Sequence, residues 1–195
     1  MPILEKYLVD YCSPTLAGLK TGSLIPFEMK DQDLAMEVRR LNRSFKDKGI
    51  RLIPIKRKDR KALLYLYRPA RLKEDLLSAE AGSILREKGY PVGNPDVCVS
   101  TLVRHLSGDE EFPHEVGLFL GYPPSDVKCF MADSRKGVQC VGYWKAYGNV
   151  SEAERTFNRF RKCTAVYRKL MEEGKSLEQL TVKEHRVKMG VAASA

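Results

Sequence analysis

Residues 50–68 read IRLIPIKRKDRKALLYLYR, two strand-like runs on either side of the charged turn KDRK at 58–61. Both runs are rich in Ile, Leu and Tyr, and their lengths suit the strands of an antiparallel hairpin. Pro54 lacks the N–H that a central strand would donate, so it predicts an edge position for the first strand. The stretch therefore indicates a sheet in a chain whose other segments are mostly helical.

Helical spacing is the main pattern on both sides of this hairpin. Apolar residues recur at helical intervals over 31–47, which predicts a helix there. The N-terminal segment shows the same spacing, and we expect its helix to end at Cys12, where Ser, Pro and Thr follow. Residues 71–88 also favour a helix, which Gly82 is expected to interrupt.

Two further helices carry start signals. Asn94 followed by Pro95 predicts an N-cap and a first-turn proline. The sequence SEAE at 151–154 matches a capping box, with Ser151 as the N-cap. The helix that it opens carries a long apolar stripe and is expected to end at Gly174.

The order of these elements predicts the fold class. The run VQCVGYWKAYG at 138–148 is expected to add a strand or a bent hairpin arm. Helices and strands then alternate without a regular βαβ pattern, which favours an α+β fold over a parallel sheet. We expect one α+β domain over 1–182, with a small, mainly antiparallel sheet packed with several helices, and a flexible basic C-terminal tail over 183–195.

Composition narrows the class of protein. The chain has 195 residues, of which 43% are hydrophobic and 30% charged, as in globular domains. No apolar run is long enough for a bilayer and the N-terminus lacks a signal-peptide layout, so a cytoplasmic protein without membrane contact is expected. Five cysteines without a C-x-x-C pair predict reduced thiols, although a contact between Cys129 and Cys140 stays open.

The net charge of +9 is distributed unevenly. Residues 39–73 carry a local charge of +12, whereas residues 74–126 carry −7. The basic region is a candidate surface for a polyanion such as nucleic acid, because cations interleaved with tyrosines suit a phosphate backbone. No known nucleic-acid motif accompanies it, so this function is not favoured. The candidate side chains are Lys56, Arg57, Lys58, Arg60 and Lys61.

Nucleotide and metal motifs are incomplete. The segment AGLKTGSL at 17–24 has glycines near Lys20, but Gly22 follows the lysine instead of preceding it, so an ordinary turn is favoured over a P-loop. The three histidines lack a metal-binding spacing, and no metal site is predicted. No motif identifies a cofactor, an oligomeric state or a partner.

The stretch FPHEVGLFLGY at 112–122 predicts a short helix that starts at Pro113 and ends at Gly121. Glu115 in its first turn would complement the positive end of the helix dipole. His114 has no comparable structural reason and is a candidate base or ligand. With a thiolate at Cys12, it would form a catalytic pair.

Four segments give the chain a family resemblance: CSPTLAGLKTGSL, ALLYLYRPARL, HEVGLFLGYP and CVGYWKAYG. In this order they resemble the bacterial domain-of-unknown-function family 3793 (DUF3793) over roughly residues 8–182. The resemblance implies a one-domain cytoplasmic bacterial protein and supplies no catalytic residues.

The segments also contain polar residues that a core does not require, and these are the candidate site. Besides the catalytic candidates Cys12 and His114, the ligand-binding candidates are Thr15, Lys20, Arg68, Glu115, Trp144 and Lys145. If they converge on one pocket, the protein binds a small ligand or has a regulatory role. The alternatives are a cysteine- or histidine-dependent enzyme, with redox or iron-related chemistry as one form, and a polyanion-binding protein.

Overall fold

The structure, a computed structural model, describes residues 2–28, 34–58, 61–108 and 111–184, with the backbone alone at 56–58. Helices and a small antiparallel sheet form one α+β domain, as predicted. In chain order the elements are α1 (Ile3–Leu16), β1 (Gly22–Glu28), α2 (Leu34–Phe45), β2 (Arg51–Lys58), β3 (Lys61–Tyr67), α3 (Pro69–Leu77), α4 (Ala79–Glu87), α5 (Pro95–Ser107), α6 (Val116–Phe119), α7 (Pro124–Ala132), β4 (Cys140–Val141), β5 (Lys145–Ala146), α8 (Val150–Glu172) and α9 (Leu177–Leu180).

The main sheet has the strand order β1–β3–β2, with both pairs antiparallel. The hairpin predicted from residues 50–68 is confirmed, and Pro54 lies on the edge strand β2. Strand β3 is central, and its side chains alternate between two cores. Leu64 and Leu66 pack with α1, α2 and α8, while Tyr65 and Tyr67 pack with α3 to α7. Burial on both faces explains why β3 is apolar at nearly every position.

The prediction for the end of α1 was wrong, because the helix continues past Cys12 and through Pro14 to Leu16. Proline removes one intrahelical N–H, and burial of the following turn offsets that loss. Arg68 also stabilises this turn, since its guanidinium donates to the carbonyls of Thr15 and Leu16, both at 2.7 Å.

Two other helix boundaries differ from the prediction. The helical segment 71–88 breaks at Ser78, not at Gly82, because the Ser78 side chain caps the following helix α4. Helix α8 starts at Val150 with Asn149 as its N-cap, so the capping box at 151–154 was also wrong. Asn149 Oδ1 accepts from the N–H of Glu152, whereas Ser151 was expected to accept from the N–H of Glu154, two residues further on.

The start of α5 agrees with the sequence prediction. Asn94 caps α5 and Pro95 begins it. Residues 31–33, predicted as part of α2, and 185–195 of the predicted tail lie outside the described residues. In the part of the chain that is described, no helix is both long enough and apolar enough to cross a bilayer.

The short hairpin of β4 and β5 positions the candidate site. Its residues Tyr143 and Trp144 pack on the N-terminal half of α8, where Phe157 lies 4.5 Å from the Trp144 ring centre. The same hairpin contacts α7 through β5. It therefore brings α7 and α8 together near the loop that follows α1.

Candidate functional site

Trp144 forms a wall between two cavities. Its indole stacks on Tyr122 with ring centres 5.2 Å apart, and its Nε1 donates to Asp126 Oδ2 at 2.8 Å. Asp126 Oδ1 accepts a second hydrogen bond, at 2.9 Å, from the N–H of Tyr147. The carboxylate is buried, so these bonds fix the hairpin against the first turn of α7.

The first cavity, here called the aromatic cavity, has a volume of about 310 Å³. Its walls come from the segment before α6, from α7 and from the β4–β5 hairpin, and its lining is mostly apolar. The lining residues are Phe112, His114, Val116, Gly117, Tyr122, Asp126, Val127, Phe130, Trp144 and Lys145. Aromatic rings with a few polar groups at the edge are typical of small-molecule sites.

Phe130 is the shared contact of the two polar candidates in this cavity. The His114 ring lies 5.1 Å from it in an edge-to-face arrangement, and Lys145 Nζ lies 5.5 Å from its centre. Lys145 also donates to the Ser134 carbonyl at 2.9 Å, while His114 is exposed. The cavity thus combines aromatic faces with a fixed cation and an accessible imidazole.

The second cavity, here called the polar cavity, lies on the other side of Trp144 and has a similar volume of about 310 Å³. It is formed by the loop after α1, by α3 and by the first turns of α7 and α8. Its polar and charged lining residues are Lys20, Thr21, Arg71, Asp75, Ser125, Asp126, Asn149, Glu152, Thr156 and Arg159. Trp144 and Asp126 line both cavities.

Lys20 is the least exposed cation of the polar cavity, with 8% of its surface accessible. Burial lowers the pKa of its ammonium to about 8, although nearby Cys12 acts in the opposite direction. Nζ lies 5.2 Å from the ring centre of Tyr122. Among the described residues, no hydrogen bond or ion pair satisfies this ammonium, which is unusual for a buried lysine.

Cys12 lies in the core beneath Lys20 and is fully buried. Burial raises the pKa of its thiol to about 12, an effect that Lys20 and a hydrogen bond with Ser23 only reduce. It does not line the cavity that contains His114. Thr15 lies nearby, also buried, and its hydroxyl is 2.9 Å from that of Ser23.

Arg68 and Glu115 are buried and form hydrogen bonds within the interior of the protein. Arg68 is 2% exposed, and besides the end of α1 it donates to the Val182 carbonyl at 2.8 Å. Glu115 is 4% exposed and accepts a hydrogen bond from the Tyr90 hydroxyl at 2.9 Å. Burial and the nearby Glu115 carboxylate raise the pKa of Tyr90. Neither candidate lines either cavity.

The helix expected from Pro113 to Gly121 is shorter than predicted, because α6 spans only Val116–Phe119. Glu115 precedes it, and its hydrogen bond with Tyr90 replaces the dipole interaction as its main contact. Gly117 lines the aromatic cavity, but a methyl group there would approach Val127 Cγ2 to 2.8 Å. Close packing therefore accounts for this glycine.

The P-loop alternative finds no support in the loop after α1. The N–H groups of residues 17–20 all donate to the carbonyls of Ser13, Pro14 and Thr15 at the end of that helix. They satisfy the C-terminal carbonyls of α1 and are not free to surround a phosphate. This loop is the ordinary turn that the position of Gly22 indicated.

The basic region is only partly described. Arg60 and the side chains of Lys56, Arg57 and Lys58 lie outside the described part, while Lys61 is exposed at the start of β3. Polyanion binding therefore stays a prediction. On α8, the exposed outer face adds further cations: Arg155, Arg159, Lys162 and Lys169.

The eight candidates thus divide into two groups. His114, Trp144 and Lys145 meet at the aromatic cavity, and Lys20 lies in the adjoining polar cavity. The other four, Cys12, Thr15, Arg68 and Glu115, lie in the interior. Sequence reasoning missed Thr21, Asp75, Tyr122, Asp126 and Phe130. One signal was available, since a half-buried Trp N–H requires an acceptor.

All five cysteines are free, with Cys129 exposed on α7 and Cys140 half-buried on β4. The described residues contain no group of three or more His, Cys, Asp and Glu side chains placed to hold a metal. The family model described as "Protein of unknown function (DUF3793)" matches residues 8–181. Comparison with curated proteins and with solved structures gives no match.

Proposed function

This chain belongs to the DUF3793 family, whose description names no activity, and from the geometry we propose that it binds a small ligand in the aromatic cavity. The observation that carries the proposal is the fixed Trp144 wall. Its indole is held by stacking on Tyr122 and by the hydrogen bond to Asp126, so one aromatic face of the cavity is formed before any ligand arrives. Preformed sites lose less conformational entropy on binding.

The lining indicates the class of ligand. The rings of Phe112, Tyr122, Phe130 and Trp144 favour a planar aromatic group, because aromatic pairs gain from stacked and edge-to-face contacts beyond the area that they bury. Lys145 and the exposed imidazole of His114 lie at the same cavity and supply polar contacts for a substituent of that group. We propose a binding or regulatory role for this site.

The enzyme alternative has less support. A nucleophilic cysteine needs a thiolate and an adjacent base, whereas burial raises the pKa of Cys12, and Cys12 does not line the cavity that contains His114. The setting that we propose is the bacterial cytoplasm. The free cysteines, including the exposed Cys129, support a reducing compartment, and the family resemblance supports the bacterial source.

Saturation-transfer NMR with small fused-ring compounds such as quinoline and 2-naphthol tests the proposal. We expect transfer to these probes from the wild-type protein and its loss from Phe130→Ala, which removes the ring that both His114 and Lys145 contact. Tyr11→Ala is the matched control, because Tyr11 is an exposed aromatic residue on α1, outside the cavity. Equal transfer in the wild type and in Phe130→Ala would show that the aromatic cavity is not the binding site.

A further inference from the structure

We propose that the polar cavity is a second site, for an oxyanion, in which the Lys20 ammonium binds the phosphate or carboxylate group of a ligand. The site is separate from the aromatic cavity, since Trp144 and Asp126 lie between the two. It does not depend on what the aromatic cavity binds.

The first argument is that the Lys20 ammonium has no hydrogen-bond acceptor among the described residues. Lys20 is 92% buried as a residue, since 8% of its surface is exposed, and it lines the cavity without a hydrogen bond or ion pair among the described residues. The ammonium lies near the Tyr122 ring and the Cys12 thiol. A buried charge without a counter-charge is costly, and an oxyanion in the cavity would remove that cost.

The carboxylates of the cavity are already held by internal donors. Thr21 Oγ1 donates to Asp75, and Trp144 Nε1 and the Tyr147 N–H donate to Asp126. Asn149 Nδ2 lies 3.4 Å from Glu152 Oε2. None of these three carboxylates forms an ion pair with Lys20 within the described ranges. Each of these carboxylates therefore has at least one internal donor, whereas Lys20 has no acceptor among the described residues.

Further donors face the same space. Arg159 is exposed, and its Cζ lies 6.0 Å from the ring centre of Phe160, a contact that uses none of its N–H donors. Arg71 uses one nitrogen for the Gly18 carbonyl and keeps the others. Ser125, in the first turn of α7, lines the cavity, and no side chain caps the start of this helix. Uncapped first-turn N–H groups favour an anion.

Isothermal titration calorimetry with sodium phosphate and with sodium acetate tests the site. We expect phosphate or acetate to bind the wild-type protein, and Lys20→Met to weaken that binding by at least about tenfold, the usual value of a hydrogen bond to a charged group. Whichever anion binds more tightly identifies the group that the site prefers. Lys162→Met, on the exposed face of α8, is the matched control and should bind as the wild type does.

A second variant separates binding from folding. Arg159→Ala changes an exposed residue, so the fold should remain intact, and we expect phosphate affinity to fall by about two- to fivefold. Affinity should also fall above pH 8, where Lys20 loses its proton. The other ionisable groups around it are Cys12, Arg71, Asp75, Tyr122, Asp126, Glu152 and Arg159. Failure of both anions to bind, or unchanged affinity in Lys20→Met, would overturn the proposal, whatever the aromatic probes do.

Discussion

Trp144 and Asp126 are joined by a hydrogen bond of 2.8 Å, and both side chains line two cavities at once. The bond connects the β4–β5 hairpin to α7, which the hairpin also contacts through β5. Asp126 also accepts the Tyr147 N–H, so one buried carboxylate fixes both ends of β5. This arrangement makes the wall between the cavities a rigid part of the fold.

Replacing Asp126 with alanine should destabilise the protein. The change leaves the Trp144 and Tyr147 N–H groups without their acceptor, and two such losses cost about 2–4 kcal/mol in the free energy of unfolding. Urea unfolding measures this, and the emission of Trp144, the only tryptophan, should shift to the red in the folded variant. Asp47→Ala, at an exposed acidic residue in the turn after α2, should change stability by less than about 0.5 kcal/mol. Equal stability of the two variants would contradict the role of this carboxylate.

Replacing Lys20 with methionine should stabilise the protein at neutral pH. Burial lowers the Lys20 pKa from 10.5 to about 8, so the unfolded chain binds more protons between these two pH values. The free energy of unfolding of the wild type therefore rises from pH 8 to pH 10.5, and the cost of the buried charge is complete below pH 8. At pH 7, Lys20→Met should be more stable by a value on the order of 3 kcal/mol.

This advantage of Lys20→Met should shrink as the pH rises toward 10, which urea unfolding at several pH values measures. The Cys12 thiol, with its raised pKa of about 12, lowers stability above pH 9 in both proteins, so the difference between them isolates Lys20. Lys162→Met controls for loss of an exposed charge. A constant difference between pH 7 and pH 10 would show that Lys20 does not titrate in this range.

Two glycines in helices should respond to alanine in opposite directions. In the interior of a helix, alanine is more favourable than glycine by about 1 kcal/mol of free energy. At Gly82 the nearest atoms to an added methyl group lie at 3.5 Å, so Gly82→Ala should stabilise the protein by about 0.5–1 kcal/mol. At Gly117 the methyl group would approach Val127 Cγ2 to 2.8 Å, and Gly117→Ala should cost about 1–2 kcal/mol. Thermal unfolding of both variants measures this pair, and stabilisation by Gly117→Ala would show that Val127 can move.

Iodoacetamide should distinguish Cys12 from Cys129 in the native protein. Cys12 is fully buried and its pKa is raised to about 12, so little thiolate exists at neutral pH and the reagent cannot reach it. Cys129 is exposed and should be labelled first, as peptide mapping by mass spectrometry would record. Faster labelling of Cys12 than of Cys129 would restore the cysteine enzyme as a candidate.

Local patterns predicted the sheet well. The two strand-like runs in residues 50–68 predicted the hairpin, and the missing N–H of Pro54 predicted the edge position of β2, because both signals come from neighbouring residues. Helix ends were harder to predict. Helix α1 continues through Pro14 because Arg68, more than fifty residues away, stabilises its last carbonyls. At α8, Asn149 and Ser151 are both good caps, and the sequence did not show which one the chain uses.

The candidate site was predicted only in part, because some of its contacts also join segments that are distant in sequence. His114, Trp144 and Lys145 were identified as polar or aromatic residues that a core does not require, and they lie at one cavity. Asp126 was missed because its role depends on a contact between α7 and a hairpin 18 residues away. Glu115 was interpreted through its own helix, whereas its partner is Tyr90, 25 residues earlier.

Native mass spectrometry of the protein purified from its own host tests the central claim most directly, that the aromatic cavity binds a small ligand. The wild-type protein should retain a discrete small-molecule mass, Tyr11→Ala should retain the same mass, and Phe130→Ala should lose it. A wild-type protein that carries only the mass of its polypeptide, or a retained molecule that Phe130→Ala binds equally well, would contradict the account.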